Sequence, residues 1–328
     1  MSFTIRVPAT SANLGTGFDC LGLALSLYNE VSVDQEGEPE IVVRGEGEKT
    51  LPRDERNLVY RTMVHYFQLV GRPMPPLSLH MHNRIPLTGG LGSSSAALVA
   101  GLCAANEICG RLLSRQELLE EASRLEGHPD NVAPCLLGGL VVSVIEDHQV
   151  ISIPAPLPHS LRAVIFAPDF YMSTVKARAI LPKKVPHRDA THNVSRVALL
   201  VAALYNERLD LLRTATQDCL HQPYRTRMFP EMMRFFDAGL EAGALCTYLS
   251  GAGSAILALA EKEQNREPIA QAFLRTAREI GMGGRVFTVG ICEDGAERVE
   301  LFESTHVVGT HPHAHPHGAR TPVRPGTR

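Results

Sequence analysis

Residues 86–98, PLTGGLGSSSAAL, set three glycines and three consecutive serines directly before an apolar run, ALVAGLCAANEICG. A helix starting here would present unpaired backbone N–H groups and the positive end of its macrodipole, and both attract phosphate. Glycines let the backbone come close to an oxygen-rich ligand, and serine hydroxyls add donors that can reach a magnesium ion. The stretch is not a Walker A loop, because Gly-Lys-Ser/Thr occurs nowhere in the chain. Nor is it a G-x-G-x-x-G turn after a strand with an acidic residue placed for a ribose. On these residues alone phosphate binding leads, with a plainly capped helix as the competing reading.

Other candidates for chemistry carry less. His80 and His82 alternate with Leu77, Leu79 and Met81 in LSLHMHN, so they belong to the solvent face of a strand rather than to a metal site. Residues 304–328 hold five of the fourteen histidines among several prolines, and a segment of that composition is expected to be disordered. The seven cysteines, at positions 20, 103, 109, 135, 219, 246 and 292, are odd in number and form no C-x-x-C pair. They fit reduced thiols in a cytoplasmic protein better than a disulfide framework or a zinc site.

The elements that would position such a loop alternate between strand and helix. FTIRV, YNEVSVD and EIVVR read as strands, and RNLVYRTMVHYFQLVG places Leu58, Val59, Met63, Tyr66, Phe67 and Val70 at helical spacing. SRQELLEEASRLEG is a helix opened by a capping box, with Ser114 as the cap and Glu117 three residues on. GGLVVSVI and HSLRAVIFAP are further strands. Beyond residue 170 a basic, turn-rich stretch, STVKARAILPKKVPHRDATHN, leads into a helix at VSRVALLVAALYN. FPEMMRFFDAGLEAG and EPIAQAFLRTAREIG are helices, ALCTYLSGAGSAILALA is strand, glycine loop and apolar segment, and RVFTVGI closes as a strand.

At 328 residues, with 44% hydrophobic and 20% charged residues, the composition is that of an ordinary globular protein of two domains or lobes. The formal net charge of −3 argues against a nucleic-acid or anionic-membrane partner. No basic stretch leads into an apolar one at the N-terminus, and no apolar run is long enough to span a bilayer, so neither a signal peptide nor a transmembrane helix is expected.

Six stretches occurring in this order carry a resemblance: VPATSANLGTGFDCLGLAL (7–25), PLTGGLGSSSAA (86–97), EGHPDNVAPCLLGG (126–139), STVKARAILP (173–182), HQPYRTRMFP (221–230) and LSGAGSAILAL (249–259). Together they resemble the homoserine kinases, part of the superfamily of small-molecule kinases that holds galactokinase, mevalonate kinase and phosphomevalonate kinase (GHMP). The resemblance runs over roughly residues 3–302. It implies an α+β fold with an N-terminal domain like ribosomal protein S5 domain 2 over 1–160, and a ferredoxin-like C-terminal domain over 161–303. The activity implied is ATP-dependent phosphorylation of L-homoserine for threonine biosynthesis, with ATP and Mg²⁺ as cofactors and a homodimer as the assembly. A kinase for another small hydroxylated metabolite, or a non-catalytic nucleotide-binding regulator, stands as the alternative.

Residue by residue, the resemblance makes Pro86, Leu87, Thr88, Gly89, Gly90, Leu91, Gly92, Ser93, Ser94, Ser95 and Ala96 the phosphate loop, and puts Asn57 in the adenine pocket. Ser94 and Glu126 would hold the metal. Gly-Ser-Ser-Ser at 92–95 stands where the family commonly has Gly-Ser-Ser-Ala, so Ser95 competes with Ser94. Ser254 likewise stands where proline is common. Arg178 and Arg225 match the arginines that take a substrate carboxylate, a group well matched by the guanidinium fork, with Arg227 close enough to replace the second. Asn13 and Asp19 suit the ammonium group, and His128 and Asn131 match the family's His-x-x-Asn, whose asparagine contacts the reacting hydroxyl, with Asp130 next door as the other catalytic candidate. Taken singly, Asn13 reads as a turn residue, Asp19 as a helix cap, Arg178 and Glu126 as solvated helix positions. Sister kinases pair an aspartate base with a lysine. The N-terminal motif here has no lysine, so Asn131 is expected to orient the hydroxyl without a strong side-chain base, and Asp130, its neighbour, to point elsewhere.

Overall fold

The computed structural model describes residues 2–87, 89–147, 149–261 and 263–299. Thr88 of the glycine loop and the 304–328 tail therefore lie outside the described residues. Along the chain run β1 (Ser2–Ala12), β2 (Leu21–Asp34), β3 (Ile41–Gly45), α1 (Leu58–Leu69), β4 (Ser78–Asn83), α2 (Ser93–Ile108), α3 (Arg115–Glu126), α4 (Pro129–Leu137), β5 (Leu140–Glu146) and β6 (Gln149–Ala155). There follow β7 (Arg162–Pro168), α5 (Thr174–Ala179), α6 (His187–Tyr205), a 3₁₀ turn and α7 (Leu212–Ala215), α8 (Gln222–Arg225), α9 (Met232–Glu241), β8 (Cys246–Leu249), β9 (Ile256–Ala260), α10 (Glu263–Glu279), β10 (Gly284–Val289) and β11 (Glu297–Val299).

Two sheets organise these elements. The first is seven-stranded, in the order β11-β1-β2-β4-β3, with β5 pairing β2 and β6 pairing β5. The 14 residues of β2 serve two neighbours, β5 along Leu21–Leu23 and β4 along Glu30–Asp34. The second sheet is antiparallel, in the order β10-β7-β9-β8. A β-α-β-β-α-β path with its fourth strand beside its first is the ferredoxin-like arrangement. The chain then returns, so that β11 adds to the first sheet through Thr4, Ile5 and Arg6 of β1.

Local sequence explains the elements nearest the cleft between the sheets. Asn57 caps α1 by accepting from the Val59 amide, and Val59, Met63, Tyr66 and Phe67 form its buried stripe. The Ser114–Glu117 capping box is present, and Gly127 ends α3 in the left-handed conformation. Pro129 opens α4, where a missing N–H costs nothing. His80 and His82 are exposed on β4, as their alternation requires. A separate aromatic cluster of Phe166, Phe229, Phe235 and Phe273 holds α9 and α10 to the second sheet.

Three elements differ from the sequence reading. α6 starts at His187, not near Val194, because Pro186 presets the entry and its first turns are solvated, carrying no apolar stripe. α5 forms inside the stretch read as turns, capped by Ser173. β6, not read as a strand in the sequence, pairs along all of β5; as an edge strand, it tolerates the donor missing at Pro154.

The first sheet meets α4 closely at Gly22, where a Cβ would stand 1.8 Å from the Asp130 carbonyl oxygen and 2.6 Å from Pro134 Cγ. Gly22→Ala is therefore expected to cost about 1–3 kcal/mol through forced displacement of α4. Denaturant unfolding of the variant measures this, and a midpoint equal to the parent's would contradict the packing.

Candidate functional site

A cavity of about 170 Å³ opens between the two sheets. One wall is the glycine loop and the start of α2, from Pro86 and Leu87 through Gly89, Gly90, Leu91 and Gly92 to Ser93, Ser94 and Ser95. Facing it are Asn13 and Asp19 from the β1–β2 turn, Glu126 from the end of α3, and His128, Asp130 and Asn131 from the start of α4. Arg178 and Arg225 complete the wall from the second half of the chain, with Tyr171, Met172 and Thr174 and the Gly251–Ala252 turn.

The loop holds its shape through contacts that use its carbonyls. Gly89 O accepts from the Ala255 amide (2.9 Å) and Gly90 O from Ser250 Oγ (2.5 Å). At Gly90, φ is +88° and a Cβ would lie 2.0 Å from the Ser250 carbonyl oxygen; at Gly92, φ is +67° and the obstacle is Thr10 Oγ1 at 1.9 Å. Only glycine fits either place. With these carbonyls committed to the β8–β9 turn and Gly92 at the N-cap, the free amides of α2 remain at the cavity wall. Ala96 is buried one turn into α2 and does not reach the cavity.

Both Ser94 and Ser95 donate to Glu126, Ser94 Oγ to Oε2 at 3.2 Å and Ser95 Oγ to Oε1 at 2.9 Å. Ser94 is exposed at the cavity whereas Ser95 is buried. Hydroxyl and carboxylate oxygens are hard donors that suit Mg²⁺, which usually takes one or two protein ligands and completes its shell with substrate phosphates and water. Among the described residues no group of three His, Cys, Asp or Glu could hold a metal by itself.

Asp130 departs from the sequence expectation, which had it pointing away from Asn131. Its buried carboxylate lies 2.6 Å from His128 Nδ1 and accepts from Asn131 Nδ2 at 3.3 Å, while Thr10 Oγ1 donates to Asn131 Oδ1 at 2.9 Å. Burial lowers the His128 pKa, but the bond to Asp130 and its charge outweigh that, leaving the pKa raised.

Asn13, at φ +73°, is fixed at both ends of its amide: Oδ1 accepts from the Asp19 amide (3.0 Å) and Nδ2 donates to Gly251 O (2.9 Å). Asp19 and Arg178 form a two-pronged ion pair, at 2.9 and 2.7 Å. Arg225 is 1% exposed and makes no ion pair among the described residues. Burial first, and then Arg178, pull its pKa down to about 10, so it stays charged at neutral pH. Phe18 lies beneath both guanidinium groups, 5.8 Å from Arg178 and 5.6 Å from Arg225.

Two expectations change here. Arg227 is exposed and lines no part of the cavity, which leaves Arg225 as the second arginine. Asn57 is not brought to the cavity either: its buried amide caps α1 and donates to Pro52 O at 2.9 Å. Tyr171 and Met172 were not singled out in the sequence, although their position just before the STVKARAILP stretch was a usable signal.

The comparisons agree with the geometry. The model of the GHMP kinases' N-terminal domain matches residues 57–139, and that of their C-terminal domain matches 200–279. The homoserine kinase of Moorella thermoacetica is 46% identical over 294 residues, 89% of this chain and 98% of its own length; that of Desulfitobacterium hafniense is 43% identical over 292 residues. The chain belongs to the homoserine kinases of the GHMP family. A crystal structure of homoserine kinase from Cytophaga hutchinsonii superposes with a TM-score of 0.81 at 31% identity, covering 91% of this chain and 97% of that one. L. major mevalonate kinase, at 16% identity and a TM-score of 0.68, shares the fold. The chain is thus an ATP-dependent small-molecule kinase with the two-domain α+β fold of its family.

The raised pKa of His128 yields a direct check. Since its folded value lies above the ordinary 6.5, the pair with Asp130 stabilises the fold fully below that pH, and less as pH rises through the folded value. Asp130→Asn should lower the His128 pKa in an NMR titration of the imidazole; an unchanged value would contradict the pairing.

Proposed function

We propose that the chain transfers the γ-phosphoryl group of ATP to the side-chain hydroxyl of L-homoserine, making O-phospho-L-homoserine for threonine biosynthesis. The observation that carries this reading is Arg225, a buried cation without an ion-pair partner among the described residues, on the wall of the same cavity as the glycine loop. Such a charge calls for an anion from the ligand. With Arg178 and Asp19 beside it, the charges suit a small zwitterion, its carboxylate on the arginines and its ammonium on Asp19 and Asn13.

In this reading the amides and hydroxyls from Gly89 to Ser95 wrap the phosphates. An adenine pocket at Asn57, as the resemblance implies, would lie beyond the cavity lined by the glycine loop. Ser94 and Glu126 would hold Mg²⁺, which neutralises phosphate charge when bound. Phosphoryl transfer has a loose transition state, so alignment and charge neutralisation supply most of the rate. Asn131, fixed by Thr10 and Asp130, orients the acceptor hydroxyl, and Asp130 holds His128 and Asn131 in place rather than taking a proton. The domains divide at 160/161, just before β7. Seven free cysteines support a cytoplasmic location. An exposed aliphatic face on the β5–β6 hairpin, with Val144, Ile151 and Ile153, supports a homodimer.

A coupled ADP-release assay with L-homoserine, L-serine and mevalonate tests the substrate, and turnover is expected with L-homoserine at far lower concentration than with the others. Turnover preferring another acceptor would replace the reading, and none at all with ATP bound would favour a regulator. Arg178→Ala should raise KM for L-homoserine at least ~10-fold with KM for ATP nearly unchanged, as loss of a charge-assisted bond requires; equal changes would remove Arg178 from the acceptor site.

The absence of a side-chain base is tested separately. General-base catalysis contributes roughly 10²–10⁴-fold, so Asp130→Asn should lower kcat by less than about 100-fold. A larger loss with both substrates' affinities intact would make Asp130 the base.

A further inference from the structure

His221 takes no part in the reading above, yet it is fully buried and touches the substrate arginine. It stands at the N-terminal edge of α8, one turn before Arg225. Its Nε2 lies 2.6 Å from the Gly15 carbonyl oxygen and its Nδ1 lies 3.0 Å from Arg225 Nη1. A carbonyl can only accept and a guanidinium can only donate. The two partners therefore assign the ring's tautomer: Nε2 carries the hydrogen and Nδ1 offers its lone pair to Arg225.

We infer that His221 is a positioning residue for the acceptor substrate, a neutral hydrogen-bond acceptor that aims the Arg225 guanidinium into the cavity without neutralising it. This rests on the reading of Arg225 as a ligand of the substrate carboxylate. The bonding of Arg225 supports it. Nη1 spends its two hydrogens on His221 Nδ1 and on Gly251 O at 2.8 Å, and Nε donates to Ala177 O at 3.4 Å. All three acceptors are uncharged, and no hydrogen bond from Nη2 is made among the described residues. A carboxylate in the place of His221 would orient the guanidinium equally well, but would cancel the charge that the substrate's carboxylate needs.

The surroundings keep the ring neutral. Phe18 stacks on it at 5.2 Å and 26°. Burial lowers its pKa; Asp218 opposes this, Arg225 adds to it, and the balance is about 4. Asp218 is 3.6 Å from Nε2, but its oxygens accept the amides of Leu220, His221 and Gln222 and so hold the start of α8. The same ring thus ties three parts of the site together: the β1–β2 turn through Gly15, the arginine, and the aromatic floor.

Asn and Gln separate the two edges of the imidazole. Asn can place an oxygen near Nδ1, while Gln can place a donor near Nε2. In steady-state kinetics with L-homoserine and ATP, His221→Gln and His221→Ala should raise KM for L-homoserine roughly 10-fold or more, and KM for ATP less than about 2-fold, as loss of a bond to a charged group implies. His221→Asn should restore most of the parent's KM. In an Arg225→Ala background, His221→Ala should raise KM for L-homoserine no further, because the two act through one contact. Equal shifts in both KM values, failure of Asn to rescue, or a further full rise in the Arg225→Ala background would overturn the inference. The parent enzyme is assayed alongside: if it does not turn over L-homoserine, the reading of the substrate fails; if it does and the variants behave otherwise, only the role of His221 fails.

Discussion

The acceptor side of the cavity is arranged around one buried guanidinium, Arg225, that makes no ion pair among the described residues. A guanidinium buried to 1% exposure costs several kcal/mol unless something offsets the lost hydration. In this protein the offset among the described residues comes from carbonyls, a neutral imidazole and an aromatic face. These satisfy hydrogen-bonding capacity but leave the charge in place. The nearby Arg178 makes the burden heavier, and it is itself relieved by its two-pronged bond to Asp19. Asp19, Asp218 and Asp130 act on Arg225 from beyond hydrogen-bond distance, so its guanidinium keeps a charge with no ion-pair partner among the described residues, which in the proposed reading a ligand's carboxylate would take.

The same cleft binds the two halves of the chain into one machine. Ser250 and the Ala255 amide, from the second sheet, take the carbonyls of Gly90 and Gly89 and so turn the peptide units of the phosphate loop. Gly251 O, in the same turn, receives both Asn13 and Arg225. One short turn thus couples the orientation of the glycine loop to that of Asn13 and Arg225. In the proposed reading, such coupling would set the reacting groups in register before either substrate arrives, where positioning catalysis gains most.

Much of this was legible in the sequence, for identifiable reasons. The glycine loop, the Ser114 capping box and the alternation of His80 and His82 are local signals, and each appears where spacing placed it. The convergence of Asn13, Asp19, Glu126, His128, Arg178 and Arg225 needed the family resemblance, because residues scattered over 200 positions carry no local sign of shared space. What stayed hidden depended on tertiary context. The choice of Arg225 over Arg227 turned on which face of a single helical turn is buried. Asp130 and Asn131 diverge as neighbours in α4 do, but their side chains still reach each other at 3.3 Å, held there by His128 and Thr10, which spacing could not reveal. His221, taken alone, was one more histidine in a chain of fourteen. The solvated first turns of α6 and the proline-bearing edge strand β6 escaped because periodicity reports burial, and neither is buried on a continuous face.

The central claim is that the unneutralised Arg225 charge is there to receive a carboxylate. Calorimetric binding of L-homoserine and of 2-amino-1,4-butanediol, which keeps the ammonium and hydroxyl but replaces the carboxylate with an alcohol, tests it directly. The account predicts that the amino diol binds at least ~100-fold more weakly, since the buried cation is then left without an anion. Equal affinity for the two would contradict it.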